Sequence, residues 1–220
     1  MNRATERLSL DGPAGRIDVA LDLPADATPR ALALIAHPHP LYGGTLDNKV
    51  AQTLARAFTE LGYATLRPNF RGVGGTEGVH DHGEGETEDL LAVLAQARAR
   101  FPGPVGEAPP VLAGFSFGAF VQTRVAQRIT PERVVLVGVA AGLVTAGRAY
   151  SAPTVPADTV VIHGELDETV PLANVLDWAR PQELPVVLVP GADHFFHRRL
   201  HIIRAIIQRA WGMKVAAAPA

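Results

Sequence analysis

The chain has no cysteine among its 220 residues, which excludes a structural disulfide, a thiolate nucleophile and any cysteine-ligated zinc centre. It also has no long apolar run. The longest nearly apolar stretch, residues 134–144, is too short to cross a bilayer and is broken by Gly138 and Gly142. Residues 1–7 are charged and lack the apolar centre of a signal peptide, so a soluble cytoplasmic protein with no membrane partner is expected. Charge of one sign is missing too: the formal charge is −2, and Lys and Arg are scattered apart from short pairs such as Arg198-Arg199, which disfavours a nucleic-acid partner. Phosphate-cradling motifs are absent. There is no G-x-x-x-x-G-K-[ST] loop, and in Gly72-Val73-Gly74-Gly75-Thr76-Glu77-Gly78 the residue Glu77 stands where a dinucleotide fingerprint needs its third glycine.

Metal chemistry finds no established spacing either, since H-E-x-x-H does not occur. His37 and His39 alternate along an extended segment and point to opposite sides. His80-Asp81-His82, followed by Glu84, Glu86 and Glu88, reads as a solvated acidic loop rather than a divalent-ion site. No metal site is expected.

What the chain does have is enough apolar material, 47% of its residues, to bury one sizeable core. A single domain over residues 1–214 is expected, with the low-complexity residues 215–220 as a disordered tail. Two alternating runs, 6–10 and 16–23, flank turn material at 11–15 and predict a hairpin. Short buried strands then alternate with helical segments: 31–36 with 46–61, 63–67 with 86–100, 110–113 with the segment after Ser116, 159–163 with 171–178, and 186–189 with 194–211, with a further strand at 133–139. This alternation predicts an α/β fold, a three-layer α/β/α sandwich around a mainly parallel sheet with its site at the carboxyl ends of the strands. The longest connections, 72–85 and 140–158, fall well short of the roughly 50 residues at which independent domains start. No lid domain is expected, and the site is therefore open and shallow.

Gly114-Phe115-Ser116-Phe117-Gly118 lies between the strand-like run ending at Ala113 and the helix-like run beginning at Ala119. This is the context of a nucleophile elbow: a turn sharp enough to expose Ser116 leaves no room for a Cβ on its neighbours, and Gly114 and Gly118 supply that room. A serine that merely capped the helix would explain the residue type but not both glycines. The serine hydroxyl needs a base, and the base needs a carboxylate. Among the carboxylates that follow the strand at 159–163, Asp167 lies at the loop tip and is the choice, with Glu165 in reserve and Glu168 read as solvated. A cap for the helix near Pro171 is the competing reading of Asp167. His194, after a glycine-containing turn and at the expected start of the final helix, is the base; His197 and His201 read as a solvated face. The order Ser116, Asp167, His194 differs from the other serine-protease arrangements.

On these residues, together with His37-Pro38-His39-Pro40, Gly43-Gly44-Thr45, Asn69-Phe70-Arg71-Gly72-Val73-Gly74, His163-Gly164 and residues 191–196, the chain resembles a small lidless bacterial serine hydrolase of the α/β-hydrolase superfamily. The resemblance implies an eight-stranded sheet, hydrolysis of esters or related acyl compounds, no cofactor, and this same triad. One departure concerns the oxyanion donors, because Pro38 and Pro40 stand where many relatives have glycines, and proline has no N–H to donate. Beside the N–H of Phe117, the second donor is expected at His39, or else at Leu41 or Tyr42. Thr76, where similar sequences often carry serine, is read as structural. Tyr42, Phe117 and one of Phe195 or Phe196 are expected to form an apolar acyl pocket. Arg71 is the candidate partner for a charged substrate group, but neutral small-molecule esters with short acyl chains fit better. A thioesterase, a peptidase, an acyltransferase or a non-catalytic ligand-binding member of the fold remain open beside that reading.

Overall fold

The computed structural model describes residues 5–25 and 27–212. Strands β1 (Glu6–Gly12) and β2 (Gly15–Asp22) form the expected hairpin, with Glu6 opposite Leu21 and Gly12 opposite Gly15. There follow β3 (Ala31–Ala36), α1 (Lys49–Glu60), β4 (Tyr63–Pro68), α2 (Glu84–Arg100), the single turn α3 (Pro104–Glu107), β5 (Val111–Phe115) and α4 (Phe117–Val125). The chain continues through β6 (Arg133–Val137), β7 (Gly142–Val144), β8 (Arg148–Tyr150), β9 (Val160–Gly164), α5 (Leu172–Ala179), β10 (Val186–Val189) and α6 (Leu200–Ala210). Eight strands form one sheet in the order β1-β2-β4-β3-β5-β6-β9-β10. It is parallel from β4 to β10, and the hairpin joins it antiparallel through β2 and β4.

The three layers follow from side-chain alternation. On β3, Ala31, Ala33 and Ile35 belong to one buried cluster with Leu54 and Phe58 of α1 and Ile203 and Ile207 of α6, while Leu32, Leu34 and Ala36 belong to a second with residues of α2, α4 and Val175 of α5. Burial on both faces is why the central strands read as continuous apolar runs rather than alternating ones. The hairpin is fastened to this sheet by a buried ion pair, Arg67 Nη2 to Asp22 Oδ2 at 3.0 Å, and Arg67 Nη1 also donates to the carbonyl of Leu46 at 2.7 Å. Breaking such a pair by removing one partner typically costs about 3–5 kcal/mol, because the other charge stays buried.

Several boundaries differ from the periodic pattern, each for a local reason. Helix α1 begins at Lys49 rather than 46, because Asn48 accepts the N–H groups of Val50 and Ala51 as its cap while the Leu46 N–H is taken by Asn69 Oδ1. Helix α2 begins at Glu84, where the Glu86 carboxylate accepts from the backbone of Asp81 and Gly83. The final helix begins at Leu200 and not at His194, since Phe196 and Arg198 adopt φ of 54° and 61° in the preceding turns. Connection 140–158 contains the β7–β8 ribbon, paired from Gly142 opposite Tyr150 to Val144 opposite Arg148 and separate from the main sheet. Among the described residues no helix is long and apolar enough to cross a membrane. The segment expected as a tail, 215–220, lies outside the described residues.

Candidate active site

At the carboxyl end of β5 the chain turns within one residue into α4. Ser116 takes φ 56° and ψ −118°, a conformation that costs an L-residue about 1–3 kcal/mol and persists only when its surroundings impose it. They do so here through the Ser116 N–H, which donates to the Val137 carbonyl at 2.9 Å, and the Ser116 carbonyl, which accepts from Phe120 N–H at 3.1 Å. A Cβ at Gly118 would lie 2.3 Å from the His37 carbonyl oxygen, and one at Gly114 would lie 2.5 Å from that of Gly118. The first turn of α4 therefore rests directly on the end of β3. The Ser116 side chain makes no capping bond to the helix, so the cap reading of this serine fails.

Its hydroxyl instead faces His194, with Nε2 3.0 Å from Oγ. Asp167 Oδ2 lies 2.7 Å from His194 Nδ1. The second oxygen, Oδ1, accepts the N–H groups of Thr169 (2.9 Å) and Val170 (2.8 Å), so the carboxylate is anchored by its own turn and does not cap α5. This pattern puts the His194 proton on Nδ1 and leaves Nε2 as acceptor for the serine. The three residues come from the ends of β5, β9 and β10 and are only 4–8% exposed, dry enough to strengthen their coupling. The imidazole lies between Phe115 and Phe195, with ring centroids 4.9 and 5.2 Å away. Beneath Asp167, fully buried His163 donates Nε2–H to the Val170 carbonyl, and burial lowers its pKa, which keeps it neutral. The reserve carboxylate Glu165 is bound to the Gly191 N–H at 2.7 Å, Glu168 is exposed, and His197 pairs with Asp193 at the surface.

Two buried residues beside the serine, Phe117 and His39, have backbone N–H groups with no hydrogen-bond acceptor among the described residues. The first opens α4, where no intrahelical acceptor exists. The other candidate donors are occupied: Leu41 N–H donates to His39 Nδ1 at 3.3 Å and Tyr42 N–H to the His39 carbonyl at 3.1 Å.

The expected pocket residues separate. Tyr42 and Leu41 are exposed, and both line a pocket of about 350 Å³ with His39, His80, His82, Phe120, Arg148, Ala149 and Tyr150. The Phe117 ring is buried beneath it, 4.8 Å from His39 and 6.1 Å from Tyr150. Phe195 stands at the rim beside His194. Phe196 does not line a pocket: its positive φ turns it inward, where it is fully buried in the core shared with α1 and α6. Arg71 is also unavailable to a substrate, because Nε and Nη2 hold both oxygens of Asp89 at 2.6 and 3.0 Å and so tie connection 72–85 to α2. The carboxylates of that connection and of the first turns of α2 are engaged as well. Asp81 and Glu86 accept backbone N–H groups, Glu84 pairs with Arg124 and Glu88 with Arg128, and His80 Nδ1 sits 2.8 Å from Glu86 Oε1 without hydrogen-bond alignment. Thr76, read as structural, accepts from Asp18 N–H and donates to the Asn69 carbonyl.

Sequence reasoning missed the β7–β8 wall with Arg148 and Tyr150. The signal was there, in the glycines Gly142 and Gly147 that bound a short Leu143-Val144 run, but three-residue strands are too short for periodicity to register.

His37 lies next to this site and is fully buried. Its Nδ1 donates to the Pro38 carbonyl at 2.6 Å and its Nε2 accepts Phe70 N–H at 2.9 Å. Burial lowers its pKa from 6.5 to about 4, against the raising effect of the Pro38 bond. Since the folded value lies below the unfolded one, the unfolded chain takes the proton first. Stability is complete above about pH 6.5 and is lost as pH falls toward 4, by about 3 kcal/mol at pH 4 from this group alone. The expected result is a His37 ring signal that stays at its neutral position in NMR down to about pH 5, with a parallel fall in urea-unfolding free energy. A titration midpoint near 6.5 would refute the assignment.

An eight-stranded sheet in this order, with a serine on a strand-to-helix elbow backed by histidine and aspartate at later strand ends, defines the class of α/β serine hydrolases. The family model for the alpha/beta hydrolase family matches residues 34–156. A lidless a/b serine hydrolase from Xanthomonas campestris is 38% identical with a TM-score of 0.84, covering 100% of this chain and 99% of its own. An alpha-beta serine hydrolase homologue from Coxiella burnetii is 37% identical with a TM-score of 0.82, over 93% of this chain and 96% of that one. An uncharacterized protein of Rickettsia prowazekii (strain Madrid E) is 33% identical over 202 residues, 86% of this chain and 82% of the relative. The chain belongs to the α/β-hydrolase family.

Proposed function

We propose that this protein hydrolyses small, short-chain acyl esters through an acyl-enzyme on Ser116. The observation that carries the reading is the unbroken line from Asp167 Oδ2 through His194 to Ser116 Oγ, together with the N–H groups of Phe117 and His39, which have no acceptor among the described residues. A developing oxyanion is a partner that accounts for both. In this mechanism Ser116 Oγ attacks the ester carbonyl while its proton passes to His194 Nε2. Asp167 stabilises the imidazolium, and the N–H groups of Phe117 and His39 hold the oxyanion. Collapse breaks the bond to the alcohol oxygen, which leaves with the proton from His194. Water then adds to the acyl-enzyme by the same steps, releasing the acid and restoring the serine.

The test is the intact mass and peptide map of the protein after exposure to a fluorophosphonate. One adduct is expected, on Ser116 in the wild type, and its formation is expected to slow at least a hundredfold in His194→Ala, in line with the contribution of general bases. Folded wild-type protein that takes up no adduct, or takes it elsewhere, overturns the reading.

A further inference from the structure

The pocket beside His39 has a chemistry that a neutral ester does not use. Its one full positive charge is the guanidinium of Arg148 on β8, and among the described residues no carboxylate pairs with it. Of its five N–H groups, Nε and Nη2 each reach the Thr145 carbonyl, at 3.3 and 3.2 Å, and Nη1 reaches the Tyr150 hydroxyl at 3.4 Å. Two N–H groups are left over. The ring of Tyr42 lies 4.3 Å from the guanidinium carbon and covers one face, which fixes the plane of the fork. Tyr42 in turn stands edge-on to His39, at 4.9 Å. The remaining walls are the aromatic or imidazole rings of Phe120, Tyr150, His80 and His82, with the aliphatic Leu41 and Ala149. The pKa of His39 falls from 6.5 to about 4 through burial and then through His80, Arg148 and His82, as expected at an electropositive spot where an imidazole is the group that gives up its charge. The same His39 supplies a proposed oxyanion donor through its backbone, so this pocket shares one residue with the proposed reacting centre.

We propose that this pocket is a carboxylate-recognition site, and that the preferred substrates are esters bearing a carboxylate on a short apolar or aromatic stem that pairs with Arg148. A planar guanidinium with two spare N–H groups matches a carboxylate in a bidentate manner. One guanidinium among aromatic walls suits a single negative charge better than a phosphate, which is usually held by several cations or a nest of backbone N–H groups. A volume of about 350 Å³ falls in the lower range of small-molecule sites, matching a stem of a few carbons or one ring. The site thus changes the substrate class from neutral esters to anionic ones. It rests on the Ser116 reading for turnover, but not for binding.

Two arms place the carboxylate on either side of the ester: monomethyl adipate against dimethyl adipate for the acyl side, and para-acetoxybenzoate against its methyl ester for the alcohol side. In at least one arm the wild type is expected to favour the anion in kcat/KM by roughly tenfold to a hundredfold, the range of a charge-assisted hydrogen bond. That ratio is expected to collapse toward unity in Arg148→Gln and to survive in part in Arg148→Lys, with the change falling in KM. Direct binding of benzoate to the Ser116→Ala protein by calorimetry separates the two readings, since it needs no turnover: binding there that is lost in Ser116→Ala/Arg148→Gln upholds the pocket even if no ester is cleaved. No preference for the anion in either arm together with no Arg148-dependent binding of benzoate overturns the proposal. Inorganic phosphate binding more tightly than benzoate overturns the carboxylate assignment.

Discussion

Ser116→Ala is expected to lower kcat/KM on a short-chain nitrophenyl ester by at least roughly a thousandfold, or about 4 kcal/mol of transition-state stabilisation, while leaving the fold intact. Both halves follow from what the hydroxyl touches. Its contact is with His194 Nε2, and it makes no capping bond to α4, so its removal deprives the helix of nothing. Alanine inherits the same positive φ, with the same bonds from its backbone to Val137 and Phe120, so the elbow keeps its geometry. Residual turnover reflects the two N–H donors and substrate positioning alone. The check pairs steady-state kinetics with thermal unfolding. A loss below tenfold in a protein whose Tm is unchanged would remove Ser116 from the mechanism.

Asp167→Asn is expected to have the larger effect relative to the atoms changed, a fall in kcat of about ten-thousandfold, because it reverses a hydrogen bond rather than deleting a side chain. Asn Oδ1 can still accept from Thr169 and Val170, which keeps the turn folded. The amide nitrogen then faces His194 Nδ1 as a donor and drives the imidazole proton to Nε2, so that the ring offers Ser116 a donor where an acceptor is needed. The measurement is the pH profile of kcat in the variant beside that of Glu165→Gln. If Asp167→Asn costs less than tenfold and Glu165→Gln costs more, the carboxylate role moves to Glu165. The present geometry speaks against that, since Glu165 is bound to the Gly191 turn.

The line of Asp167, His194 and Ser116 is legible in the sequence because each member stands at a strand end marked by punctuation: glycines around Ser116, a loop tip at Asp167, Gly191 ahead of His194. These are local signals. What sequence could not supply were contacts that join distant segments through short or irregular pieces. Arg148 meets Tyr42 across the mouth of the site, and neither residue is distinguished by its neighbours in sequence. Phe195 and Phe196 are identical in type and adjacent, and only a positive φ at the second decides that one edges His194 while the other fills the core. The same backbone turns, at residues that are not glycine, make the last helix start later than its apolar spacing implies. Arg71 looked free because its partner Asp89 sits on a helix whose register the loop glycines do not reveal.

The β7–β8 ribbon is not an independent part. Thr145, at its turn, donates its N–H to the Thr169 carbonyl at 3.1 Å, and its hydroxyl lies within reach of the Glu168 and Thr169 carbonyls at 2.9 and 3.0 Å, while Thr169 N–H holds Asp167 Oδ1. The backbone of Thr169 therefore joins the ribbon that carries Arg148 to the carboxylate of Asp167. A change in the path of this ribbon is passed on to the turn that carries Asp167.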